Sequence, residues 1–101
     1  MRACFVFVST LIAVIPLVVQ AADPEVVCTN PKYGPPGADD TVACYSEAGC
    51  ALARSFGAEA IADYDPASAP FALARGKIGA VITSDKKLIE TAKANGAACK
   101  P

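Results

Sequence analysis

The side chains of this chain with chemical potential are its cysteines and carboxylates. Histidine is absent. No imidazole can therefore activate a serine or cysteine nucleophile, or ligate zinc. Cys28, Cys44, Cys50 and Cys99 are widely separated and form no C-x-x-C pair. Structural zinc sites and dithiol redox centres both depend on that close spacing. The sequence predicts neither a metal nor a cofactor. Among the carboxylates, Asp39 with Asp40 and Asp63 with Asp65 are the pairs that could share acid and base roles in a glycosidase. Each has a plainer role in the chain. The first pair suits a helix start, where carboxylates meet unpaired amides, and the second borders a turn before Pro66. No catalytic residue is predicted.

The cysteines read as staples because of where the chain goes. Arg2 supplies one positive charge, the run from Ala3 to Val19 carries none, and Val19-Gln20-Ala21 offers small residues at a cleavage point. A basic start, an apolar centre and a small-residue exit make a secretory leader over residues 1–22. The run is short for a membrane anchor and Pro16 interrupts it. Residues 23–101 are then a single small secreted domain with no membrane span. Cys4 leaves with the leader. An even set of four cysteines in an oxidising compartment predicts two disulfides, and a domain this small and rich in alanine needs them.

The mature segment keeps eight Lys and Arg against ten Asp and Glu. That balance predicts no nucleic-acid partner, since such a partner would demand a basic face. A cationic membrane-lytic peptide is excluded on the same ground.

The elements that position the cysteines can be sketched from patterning. Glu25–Thr29 reads as a short strand, and Asn30–Gly37 (NPKYGPPG) as loop. Asp39, Asp40 and Thr41 offer caps to a helix, and from Val42 the residues Tyr45, Ala48, Leu52 and Phe56 form a stripe spaced for one helical face. On that stripe Tyr45 belongs to the core. Gly57 stops the helix. Ala58–Tyr64 is a weakly patterned strand and Asp65–Pro70 a loop. Phe71–Arg75 is a short strand or one helical turn ended by Gly76. Lys77–Thr83 is a clear strand with β-branched Val81 and Ile82. Ser84 and Asp85 cap a helix over Lys86–Asn95, with Lys86 and Glu90 spaced for a surface ion pair. Ala97–Lys100 returns as a strand carrying Cys99.

The order is β-α-β-β-α-β. It predicts an α+β two-layer sandwich, a four-stranded antiparallel sheet with two helices on one face. If Cys44 and Cys50 share a continuous helix, they stand about 9 Å apart along its axis, beyond the roughly 7 Å reach of a disulfide. Each is expected to pair outward, one with Cys28 and one with Cys99, the assignment open. The repeat of ALAR at Ala51–Arg54 and Ala72–Arg75 reads as coincidence in an alanine-rich chain. Lys86-Lys87 and Arg75-Gly76-Lys77 read as exposed surface.

The leader, the cysteines Cys28, Cys44, Cys50 and Cys99, the helix bearing two of them and the element order together resemble a group of small secreted fungal proteins. These have the killer-toxin-like α/β-sandwich fold and include plant-pathogen effectors and antifungal toxins. The resemblance implies a secreted, non-enzymatic effector or toxin-like protein that binds a host or microbial protein or a cell-surface target. It transfers no functional residues. A carbohydrate- or lipid-binding module is the alternative, with Tyr33, in the Pro/Gly loop, as its candidate contact. A carboxylate-based glycoside hydrolase ranks below both.

Overall fold

A computed structural model describes residues 24–101. The predicted leader, residues 1–22 with Cys4, lies outside the described residues. The elements run β1 (Val26–Thr29), β2 (Thr41–Cys44), α1 (Glu47–Ser55), β3 (Glu59–Ile61), α2 (Ala69–Ala74), β4 (Ala80–Thr83), α3 (Lys86–Ala94) and β5 (Ala98–Lys100).

Two uncharged tetrapeptides, Thr41-Val42-Ala43-Cys44 and Ala80-Val81-Ile82-Thr83, make the centre of the sheet. Such runs suit strands covered on both faces, which read as continuously apolar rather than alternating. All four residues of β4 are buried, and so are Val42, Ala43 and Cys44 of β2. The sheet has five strands in the order β3-β2-β4-β1-β5. Strand β2 pairs in parallel with both β3 and β4, whereas β1 pairs antiparallel with β4 and β5. It is therefore mixed. The edge strands β3 and β5 are three residues long, which limits the unpaired backbone available to another chain.

Alternate residues of the central strands feed two cores. Ala43, Val81 and Cys28 pack with Ala69, Ala72 and Leu73 of α2 and Leu88 and Ala92 of α3. Val42, Ala80 and Ile82 pack with Ala53 of α1 and with Ala58. Because strand side chains alternate between faces, α1 covers one face and α2 with α3 the other. Caps fix the helix ends. Ser46 Oγ accepts from the Gly49 N–H at 2.9 Å and Asp85 Oδ1 from the Lys87 N–H at 3.0 Å.

The predicted two-layer sandwich is thus corrected. Among the described residues there are five strands, not four, in a mixed rather than antiparallel sheet, and three helices divided between its faces. The error starts at Thr41–Cys44, expected as the opening of a helix. A short apolar run has no periodicity that separates a doubly covered strand from a buried helical turn. The helix starts only at Glu47, with Ser46 as its cap in extended conformation (φ −148°, ψ 162°). Asp40, expected as a helix cap, instead turns its Oδ2 back to the Gly37 N–H at 2.7 Å. Phe71–Arg75 resolves to helix, α2, started by Pro70 in its first turn.

The two expected disulfides are present, with a different pairing. Cys28 joins Cys99 and Cys44 joins Cys50. Once Cys44 sits at the end of a strand and Cys50 in the first turn of a helix, the chain doubles back and the Cα atoms come within 5.1 Å. The 9 Å separation assumed an unbroken helix. Cys28 and Cys99 face each other directly across β1 and β5, with Cα atoms 4.0 Å apart. One bridge locks strand to strand and the other locks strand to helix start.

Candidate binding face

A surface that combines exposed aromatic and cationic groups is built around α2. Ser68, Phe71, Ala72 and Arg75 fall at i, i+3, i+4 and i+7, one stripe along a helix. Its inner member, Ala72, is buried, while Phe71 leaves 46% of its surface exposed. Together with Tyr64 and Lys77 these residues line an open basin of about 260 Å³. No carboxylate lines it. The nearby carboxyl of Asp65 is engaged in the start of α2, where it accepts from the Ala67 N–H at 3.1 Å and from Ser68 Oγ–H at 3.0 Å.

The way α2 ends sets the backbone that carries the two cations. The Gly76 N–H donates to Leu73 O at 3.1 Å and the Lys77 N–H to Ala72 O at 2.9 Å. This paired closure is the Schellman motif, and it requires a left-handed residue, which Gly76 supplies with φ +76°. The backbone of Arg75 and Lys77 is thereby set on either side of the turn.

Tyr33 joins this surface from the loop after β1. Asn30 Nδ2 donates to Leu73 O at 3.2 Å and Ala74 O at 3.3 Å, docking the loop on the carbonyl end of α2. The loop tightens with the Tyr33 N–H to Asn30 O at 2.9 Å. The Tyr33 ring then lies on Gly76, so closely that a Cβ there would come within 2.8 Å of Cε2. Even so, Tyr33 remains 62% exposed. The predicted contact residue is therefore exposed, in company the sequence did not indicate. Phe71 escaped notice because its segment read as an uncertain strand or turn, and Arg75 and Lys77 read only as exposed surface. The signal was available in the helical spacing of Ser68, Phe71 and Arg75.

The other candidates fall elsewhere. The disulfide sulfurs of Cys44 and Cys50 are packed on the α1 side, while Cys28 and Cys99 belong to the opposite core. Asp39 is exposed beside Asp40, which holds its own turn. Asp63 is exposed and Asp65 holds the turn before α2; of the four only Asp40 lines a hollow, about 120 Å³ beside Tyr33 and Ile78, and no second carboxylate shares its lining. Tyr45 packs against the α2/α3 core, but the expected helical stripe does not exist: Tyr45 lies just past a strand end, Val42 and Leu52 pack on the opposite face, and Ala48 and Phe56 are exposed. Burial pushes its hydroxyl up from 10.0 to about 12, with the charge of Asp65 and then Tyr64 adding to the effect. A second hollow, about 210 Å³, lies between the starts of α2 and α3 and is lined by Pro66, Pro70, Leu88 and Thr91 with Asp85 and Lys87. Among the described residues no group of three or more metal-ligating side chains converges, and no helix is long and apolar enough to cross a membrane. No protein-family model, characterised protein or solved structure matches this chain.

Proposed function

We propose that this is an exported, disulfide-bonded protein that works by binding a cell-surface target, as an effector or toxin-like molecule, and not by catalysis. The observation that carries the reading is the face formed by Tyr33, Phe71, Arg75 and Lys77. Tyr33 and Phe71 are two of the three large hydrophobic side chains with high exposure among the described residues. Exposed aromatics beside arginine are the composition that anchors binding interfaces. The leader-like segment at residues 1–22 and the two disulfides support export, since such bridges persist in oxidising compartments.

The test expresses the full chain in a secreting host and recovers the medium. Expected is a product lacking the leader and free of reactive thiols, which attaches to the surface of intact plant or microbial cells. Attachment should fall when Phe71→Ala and Arg75→Gln are combined, and hold in Lys93→Gln on α3. Retention inside the host, or attachment indifferent to the paired substitutions, would refute the reading.

A further inference from the structure

We infer that the basin along α2 is a site for an acidic sugar, a uronate residue within an oligosaccharide. This rests on the binding reading above and names its ligand class. The lining combines the three kinds of group that such a residue needs. Phe71 offers an exposed ring face against which the C–H face of a pyranose can stack. Tyr64 and Ser68 place hydroxyls beside it, and Arg75 and Lys77 bring two cations to one end. An arginine fork matches a carboxylate in two parallel hydrogen bonds, and lysine adds a point charge.

Charge favours an anion despite the overall balance of the chain. Residues 23–101 carry more acidic than basic side chains, yet this basin has two cations and no carboxylate in its lining. Asp65 keeps its charge but does not line the basin, its oxygens being turned to the Ala67 amide and the Ser68 hydroxyl. The Ser68 oxygen, having donated its proton there, is left to accept from a sugar hydroxyl.

Shape favours a sugar over an acidic peptide. A peptide anchor gains most from a well-packed, fully desolvated hole. This basin is open and interleaves apolar and polar groups, and its roughly 260 Å³ suits one polyhydroxylated ring. The hydrogen-bonded turn at Gly76 fixes the backbone that carries both cations, so each side chain starts from a set position beside the basin. Tyr33, held on Gly76, lines a separate hollow of about 120 Å³ together with Asp40, so the sugar is assigned to the α2 basin alone.

The experiment is calorimetric titration of the disulfide-intact secreted protein with three probes: tetragalacturonate, the neutral cellotetraose, and tetraglutamate as an acidic peptide. Saturable binding of tetragalacturonate is expected, at least about tenfold tighter than either of the others. Arg75→Gln should weaken it about tenfold to a hundredfold, the range for a lost charge-assisted hydrogen bond. Phe71→Ala should weaken it while leaving its salt dependence intact, because a stacking face carries no charge. Lys93→Gln should change nothing. Both basin positions are exposed, so the variants should fold, and mass spectrometry of the intact disulfides checks that they do. Equal or tighter binding of tetraglutamate would overturn the sugar assignment in favour of a peptide. Absence of tetragalacturonate binding, or binding untouched by both substitutions, would overturn it outright. If cell attachment still depends on Phe71 and Arg75 in that event, the binding face stands and only its ligand class falls.

Discussion

Removing the two disulfides one at a time should have unequal effects, and the inequality follows from where they close. Cys28–Cys99 joins residues 71 apart in sequence, whereas Cys44–Cys50 joins residues 6 apart. On the chain-entropy model, opening the long loop costs about 4.4 kcal/mol and opening the short one about 2.2 kcal/mol. Each double Cys→Ala substitution deletes the same atoms, so the packing losses largely cancel in the comparison. A domain of this size has a total stability of roughly 4–12 kcal/mol. Cys28→Ala/Cys99→Ala should therefore leave a marginal fold, and Cys44→Ala/Cys50→Ala a weakened one. The protein has no tryptophan, so urea unfolding is best followed by far-ultraviolet circular dichroism with tyrosine fluorescence. With a denaturant slope of about 1 kcal/mol/M, the two midpoints should differ by about 2 M. Equal midpoints, or a greater loss from the short loop, would refute the argument. The stability would then rest on the start of α1 and not on closure of the chain.

Four further substitutions probe the packing and the caps. Gly79→Ala would drive a Cβ to 2.7 Å from Asp40 Cβ, a carboxyl residue pinned to Gly37, and should cost about 1–3 kcal/mol in chemical denaturation. Gly37→Ala, with nothing within 4 Å, should cost little by the same assay. Asp85→Ala removes the acceptor for the Lys87 N–H and should lower stability by about 1 kcal/mol. Tyr45→Phe deletes a buried hydroxyl that has no hydrogen-bond partner and should raise stability by about 1 kcal/mol. The same variant tests the titration of Tyr45. The unfolded chain releases this proton near 10, but the folded one holds it to about 12. The associated stability is thus complete below pH 10 and lost as pH rises toward 12. Wild type should weaken across that window by a component that Tyr45→Phe lacks, and the 295 nm absorbance difference between them should show a transition near 12.

The parts of this fold legible in the sequence were those with a local signature. β1, β4, α3 and β5 were expected within a residue or a few of where they lie, because β-branched pairs and the Asp85 cap with Asn95-Gly96 mark them. The pairing of strands was not legible. Thr41–Cys44 has no polar alternation, since helices cover it on both sides, and this hid it as the start of a helix. That one misreading removed a strand, moved α1 and excluded Cys44–Cys50 on distance. Among contact residues, Tyr33 was visible because a Pro/Gly loop exposes what it carries. Phe71 was hidden, because an apolar side chain in an alanine-rich segment reads as core until the other side of its helix is shown to be filled by Ala69, Ala72 and Leu73.

The topology also explains why the face lies beside α2 and not at a strand end. In open sheets with parallel strands, ligands commonly settle outside the carboxyl ends of strands, where neighbouring connections leave in opposite directions. Here that place lies between β2 and β4, since α1 leaves β2 onto one face and α3 leaves β4 onto the other. Its usual attraction is the free amides of helix starts. In this chain each of those starts is already partly closed by a side-chain cap. Ser46 takes the Gly49 N–H, Asp85 takes the Lys87 N–H, and the Cys44–Cys50 bridge ties the end of β2 to the first turn of α1. The Glu25 carboxylate adds negative charge against Gly49, which disfavours an anion there. A small domain that spends its helix starts on self-closure gains stability and gives up the ordinary anion site. The cations it leaves beside exposed aromatics, Arg75 and Lys77 around the Gly76 turn, are where an anionic partner can still be met.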